Sequence, residues 1–202
     1  MNEQISINLT SDITYVYGTV NGADADFYLS APNIWTAVVP KSNDGVYVVE
    51  IIAYNNLGTP TEYKVNLYTS NGWLEPKIDW VPTDYYNFED LNRVENNTLY
   101  IAELLRKFGV NLALVSFTDR DLKRIEFANS LNRIESNIEQ LASRYVPSNW
   151  IPIKKDWKAN TSFNYQDAIR LEHNLITLYK HYKGNLEIQP YCGVLICGEE
   201  VI

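Results

Sequence analysis

Two periodicities predict an α+β protein: an antiparallel β-sandwich followed by a three-helix bundle with a short C-terminal β element. Residues 1–70 alternate apolar and polar side chains in short runs broken by Gly, Asn, Asp and Pro, the period of half-buried strands. From residue 87 onward apolar residues recur at helical spacing, and the stretch Asp79 to Asn97 returns twice. Adding 77 carries Asp79-Trp80 onto Asp156-Trp157, Asn87 onto Asn164, Asp90 onto Asp167, Arg93 onto Arg170, Glu95 onto Glu172 and Asn97 onto Asn174. Adding 40 carries Leu91-Asn92-Arg93-Val94-Glu95 and Asn97 onto Leu131-Asn132-Arg133-Ile134-Glu135 and Asn137. A period of about 40 residues marks a repeated helical unit rather than a catalytic signature.

The strands are expected at Ile5–Leu9, Ile13–Val20, Asp26–Ser30, Ile34–Val39, Val46–Tyr54 and Tyr63–Tyr68. Asn21-Gly22, Asn43-Asp44-Gly45 and Asn55-Asn56-Leu57-Gly58 supply residues that tolerate positive φ at the turns. Along the strand from Val46, alternation puts Tyr47, Val49, Ile51 and Ala53 inward and Val48, Glu50, Ile52 and Tyr54 outward. With Trp35 in a middle strand, Asp44-Gly45-Val46-Tyr47 entering a strand and Ala53 to Gly58 closing it, this region resembles a bacterial immunoglobulin-like or fibronectin type III module. The resemblance implies a corner-tyrosine role for Tyr47.

Residues 71–86 form a connector rich in aromatics rather than in Gly and Ser, so it is not a flexible tether. Trp73 and Trp80 are expected to pack the two domains against each other, with a ligand-binding aromatic shelf as the alternative. Across 87–185 three helices are expected. The first is capped by Asn87 with Asp90 and stopped by Gly109; the second runs from Thr118 or Asp119, with Leu122 and Tyr145 in its stripe, to just before Pro147. The third is capped by Asn164 with Asp167 and stops at Gly184. Arg93 and Asn97, Arg133 and Asn137, and Arg170 and Asn174 each stand one turn apart beside the apolar stripe. They read either as a repeated docking edge or as polar residues that fix helix register by bonding across the bundle, and the second reading is preferred. Residues 186–202, with Tyr191, Cys192 and Cys197, read as a strand element that folds back or pairs with another chain.

Composition narrows the function classes. A net charge of −8 over 202 residues, with no basic run, disfavours a nucleic-acid partner. No apolar run is long enough to span a membrane, and the start Met-Asn-Glu-Gln lacks the features of a secretory leader, so synthesis in a cytoplasm without membrane insertion is expected. Two cysteines and two histidines do not assemble a structural zinc site from one chain, and the thiols are expected to be reduced. Glu95, Glu135 and Glu172 recur, yet without Glu-x-x-His pairs they fall short of a di-metal site, and no phosphate loop is present. Neither a metal nor a cofactor is therefore expected.

Asp84-Tyr85-Tyr86-Asn87-Phe88-Glu89-Asp90-Leu91-Asn92-Arg93-Val94-Glu95-Asn96-Asn97, with Tyr100 to Leu105 and the closing Tyr191-Cys192-Gly193 and Cys197-Gly198-Glu199-Glu200, is similar to small structural proteins encoded among the tail genes of bacteriophages and prophages of Gram-positive bacteria. The resemblance implies a non-catalytic virion component at a tail tip, baseplate or fibre attachment. Its partners would be other tail proteins, in a homo-oligomer or larger assembly. The alternative is a carbohydrate- or cell-surface-binding module, for which Tyr15, Tyr17, Tyr28, Trp35 and Tyr54 offer a stacking face for a host-surface glycan.

Overall fold

The structure is a computed structural model and describes residues 2–43, 45–123 and 128–188. Seven strands, β1 (Asn2–Asn8), β2 (Ile13–Val20), β3 (Ala23–Asp26), β4 (Tyr28–Ala31), β5 (Ile34–Pro40), β6 (Val46–Asn55) and β7 (Pro60–Tyr68), precede three helices, α1 (Phe88–Lys107), α2 (Ala128–Leu141) and α3 (Tyr165–Ile188). The strands form two antiparallel sheets, ordered β1-β5-β4 and β3-β2-β6-β7. The run expected at Asp26–Ser30 is divided between β3 and β4, because β3 turns back on β2 while β4 crosses to pair with β5.

Alternation sets which face is buried. Tyr47, Val49, Ile51 and Ala53 of β6 are all buried, and with Ile5 and Ile7 of β1 and Trp35, Ala37 and Val39 of β5 they make one apolar cluster fed by both sheets. The β2–β3 turn places Asn21 at φ 52° and Gly22 at φ 78°, the left-handed pair that a two-residue hairpin requires. Asn21 also ties this turn to β6, its Oδ1 accepting from the Val48 amide at 2.7 Å. The Tyr47 hydroxyl is buried among polar partners: it accepts from the Ser42 amide at 2.8 Å and donates to Glu3 at 2.7 Å. Burial, with the Glu3 carboxylate beside it, pushes this phenol up to about 12.

The helices bury a second cluster that includes Val94, Ile101, Leu105, Ile134, Ile138, Leu171, Leu175 and Leu178. Val46 and Tyr68 belong to it as well, so the sheet half meets the helical half through the start of β6 and the end of β7. Gly45 marks the joint: at φ +66°, a Cβ there would stand 2.7 Å from Leu99 Cδ1 and 2.8 Å from the Thr69 carbonyl. Asn66 completes it, its amide hydrogens reaching Leu112 O and its backbone N–H reaching Asn111 Oδ1.

Helix α1 begins where its caps dictate, with Asn87 Oδ1 accepting from the Glu89 and Asp90 amides while Asp90 accepts from the Asn87 amide. The same reciprocal pair, Asn164 with Asp167, opens α3. Two helix bounds correct the sequence reading. Helix α2 spans Ala128–Leu141 and not a stretch from Thr118, because residues 110–121 are an extended arm bonded to α1. Leu122, expected in the stripe, is 87% exposed, and Tyr145 lies past the helix end. Helix α3 runs through Gly184 to Ile188, since a lone glycine weakens a helix by about 1 kcal/mol and tertiary packing overrides it. Leu186–Ile188 are thus helical rather than strand, and Tyr191, Cys192 and Cys197 lie outside the described residues.

Candidate functional site

The recurrent Arg-x-Glu of each helix explains the helical half. Two residues apart on a helix means about 200° of rotation, so arginine and glutamate point to opposite sides and each helix offers a cation to one neighbour and an anion to the other. The pairs close a circle. Arg93 of α1 donates to Glu172 of α3, Nε to Oε1 at 3.1 Å; Arg170 of α3 donates to Glu135 of α2 at 3.0 Å; Arg133 of α2 donates to Glu95 of α1, Nη2 to Oε1 at 2.7 Å. Glu95, Glu135 and Glu172 are each at most 1% exposed.

The carboxylates also hold the arms that precede the helices. Glu95 accepts the Phe117 amide at 2.9 Å and the Ser116 hydroxyl at 2.8 Å, while the backbone amides of Lys77 and Lys154 lie near enough to Glu172 and Glu135 to favour their charged forms. These positions obey the repeat, since 77 + 40 = 117 and 77 + 77 = 154. The asparagines do related work. Asn97 accepts from the Leu74 amide and donates to its carbonyl, Asn174 clamps Ile151 in the same two-bond manner, and Asn137 donates to Val115 O at 2.7 Å. One turn earlier Asn92 clamps Arg120 and Asn132 clamps Trp157, each stapling the arm of the next helix. The third such position, 92 + 77 = 169, is Ile169, so this clamp is made twice rather than three times.

The three members of the ring are not electrically alike. Glu95 faces both Arg133 and Arg120, whose side chain is fully buried. Among the described residues Glu172 has Arg93 as its one basic partner, and Arg93 is shared with Asp90 at 2.9 Å; Glu135 likewise shares Arg170 with Asp167 at 2.8 Å. Burial pushes the Glu172 carboxyl up to about 7 against the opposing pull of Arg93. Burial also raises Glu135, with Arg170 opposing. Glu135 Oε2 and Trp157 Nε1 make no hydrogen bond of ordinary length, although the indole is near enough to favour the charged carboxylate.

The candidate interface residues therefore fall into place as internal ties. Arg93, Asn97, Arg133, Asn137, Arg170 and Asn174 bond between helices or between helix and arm. Trp73 stacks on Tyr179 of α3 at 3.8 Å between ring centres and 9° between planes, and packs against the cluster that Val46 and Tyr68 of the sheet half share with the helices. Trp80 lies beside Tyr86 with Lys77 over its ring at 4.4 Å, and Trp157 repeats this with Lys154 at 3.7 Å. These rings wall a recess of about 880 Å³ where all three helices begin, lined also by the repeat-equivalent Leu91, Leu131 and Ala168. Because the three helices start at this one end, they run in the same direction.

The sheet half carries a different aromatic feature. Tyr15 and Tyr17 of β2 and Tyr54 of β6 cluster on the outer face of the four-stranded sheet, with ring centres 6.1, 6.1 and 6.2 Å apart. The Tyr54 hydroxyl, by hydrogen bonding, raises the Tyr17 phenol above its usual value. Trp35 and Tyr28 do not join this face. Trp35 is buried in the core, and Tyr28 lies on the other sheet beside Gln4. Among the described residues, no group of three or more His, Cys, Asp or Glu is placed to hold a metal ion, and no helix is long and apolar enough to cross a membrane. Compared with known protein families, characterised proteins and solved structures, the chain shows no match.

Proposed function

We propose that the protein is a non-catalytic structural and binding component of a phage virion, at a tail tip, baseplate or fibre attachment. In this reading its sheet half is an immunoglobulin-like sandwich and its helical half a three-helix bundle. The observation that carries the non-catalytic part is the fate of the buried charges. Among the described residues Asp90, Glu95, Arg120, Glu135, Asp167, Arg170 and Glu172 are the buried acidic and basic side chains, and all of them are partners in the ring. A catalytic acid or base must be free to exchange a proton with a substrate, and these are spent on holding helices and arms. The virion assignment rests on the resemblance of the Asp84–Asn97 stretch. The immunoglobulin-like assignment is supported by the sheet orders and by the Tyr47 hydroxyl bonded to a backbone amide five residues upstream.

A carbohydrate- or cell-surface-binding module is the second reading, favoured by the exposed Tyr15 and Tyr17 with the half-buried Tyr54 beside them. Virions of the encoding phage or induced prophage, purified on a density gradient and probed with an antibody to this chain, test the first reading. The protein is expected in the virion band at a fixed ratio to the tail proteins. Its recovery only from the unassembled lysate fraction overturns the assignment.

A further inference from the structure

We propose that Tyr15, Tyr17 and Tyr54 form a platform that binds a neutral saccharide chain through the apolar face of a sugar ring, an inference that rests on the second reading above. Three observations converge on this chemistry. The rings are available: Tyr15 is 58% and Tyr17 44% exposed. They lie at shallow mutual angles of 31°, 40° and 21°, side by side at near 6 Å spacing, so they present a floor. An aromatic cage for a lone cation sets its rings steeply around a central point, and this arrangement does not.

The surroundings select the ligand. Strand pairing runs a row across the sheet, Asp26 opposite Tyr17, Tyr17 opposite Ile52 and Ile52 opposite Glu62, and partners in such a row share a face. Asp24, Thr19, Glu50 and Lys64 form the next row, with Lys64 and Glu50 paired to each other. The floor is thus flanked by hydrogen-bond acceptors with a net negative charge. Carboxylates bind sugar hydroxyls and repel phosphate, sulfate and uronate groups, which favours a neutral chain over an anionic one. A shallow groove bounded by Tyr17, Thr19, Glu50, Ile52, Glu62 and Lys64 continues from the floor and gives the chain room to extend.

The test is a titration of the full-length protein, carrying ring-labelled tyrosine, with chitohexaose, cellohexaose and maltohexaose as neutral probes, a heparin hexasaccharide as the anionic control and hexalysine as the cationic one. At least one neutral hexasaccharide is expected to move the Tyr15, Tyr17 and Tyr54 ring signals while heparin does not. Tyr17→Ala and Tyr15→Ala are expected to weaken binding about tenfold or more with the melting temperature unchanged, and Tyr17→Phe, which keeps the stacking surface, to retain most of it. The proposal is overturned if no neutral probe moves these signals, if the alanine variants bind unchanged, or if hexalysine alone binds, which would make the face a site for a basic protein segment. Detection of the chain in purified virions alongside any of those failures leaves the virion assignment standing, so the two claims fail separately.

Discussion

The two halves of the molecule bury opposite kinds of side chain. Through the strands the interior is apolar except for Thr36 and the tethered Tyr47 hydroxyl; through the helices it contains three glutamates and two aspartates, Asp90 and Asp167, each paired with an arginine three residues on, along with Asn96, Asn97, Asn137 and Asn174. The difference follows from what each half has to specify. A strand that slips by one residue turns its entire apolar set to solvent, so alternation by itself fixes register. Three helices with similar apolar stripes have no such safeguard and could pack in either direction. The ring removes that freedom: inverting one helix exchanges its two sides, so that arginine would meet arginine and glutamate would meet glutamate. Sequential helices joined by short loops are usually antiparallel. Here the ring demands a parallel trio, and the extended arms, 110–121 among them, are the return paths that parallel helices need.

The sharpest way to break this comparison is to remove one charge from the ring. Replacing Glu95 with Ala leaves Arg120 and Arg133 facing each other without their shared carboxylate, and stranding a buried charge costs about 3–5 kcal/mol. A core trim in the sheet half, Ile51→Val, is expected to cost about 1 kcal/mol. Denaturant melts should rank the two in that order. Equal losses would mean that the helices are held by their apolar stripes and that the ring is incidental.

The next prediction concerns pH. Glu172 has a folded-state value raised from the ordinary 4.5 to about 7, so the folded protein holds that proton more tightly than the unfolded chain does. The resulting stabilisation is fully present below about pH 4.5 and is lost as pH rises to about 7, by up to about 3 kcal/mol if nothing else titrates. Glu172→Gln keeps an acceptor for Arg93 and cannot ionise. Stability measured at pH 5.5 and pH 8 should therefore fall in the parent and change less in the variant. Among the described residues the sheet half has no carboxylate raised in this way, and an identical pH response in both proteins would remove Glu172 as the cause.

How much of this was legible in the sequence differs between the halves in the same physical way. The inward set of β6, the turns at Asn21 and Asn55 and the caps Asn87 and Asn164 all rest on local rules, and the structure places them as those rules require. The arms were not legible as arms. Residues 118–121 carry helix-like spacing, but Arg120 is drawn into the interior by Glu95 and clamped by Asn92, a tertiary tie that outweighs local propensity. Glu95, Glu135 and Glu172 were visible as a recurrence and were weighed only as metal ligands. The signal that identifies them is their fixed offset of two from an arginine, which excludes pairing on their own helix and leaves only the neighbours. The tyrosine platform was half legible: alternation puts Tyr54 outward, but only the β2–β6 register brings Tyr15 and Tyr17 beside it.

A smaller effect sharpens the role of the repeat. Asn87→Ala removes a side chain that satisfies two amides at the start of α1 and is expected to cost about 1 kcal/mol. Because Asn164 does the same at α3, its alanine variant should match within a few tenths. A thermal melt that separates the two strongly would mean that the repeated units are equivalent in sequence but not in energy.

The smallest expected effect tests the position where the repeat is broken. Asn92 and Asn132 each staple the following arm, at Arg120 and at Trp157, and the equivalent residue of α3 is Ile169, whose counterpart on the first arm is Trp80. Placing a polar side chain at a half-buried apolar position ordinarily destabilises by the cost of its unpaired hydrogen bonds, about 1–3 kcal/mol. At residue 169, however, the repeat puts the Trp80 backbone where Arg120 and Trp157 lie for the other two asparagines. Ile169→Asn is therefore expected to lose less than about 1 kcal/mol, because the new amide gains the two bonds that its equivalents make. A loss of the full unpaired magnitude would show that the first arm lies out of reach of α3, and that the threefold likeness of the helices does not extend to the arms.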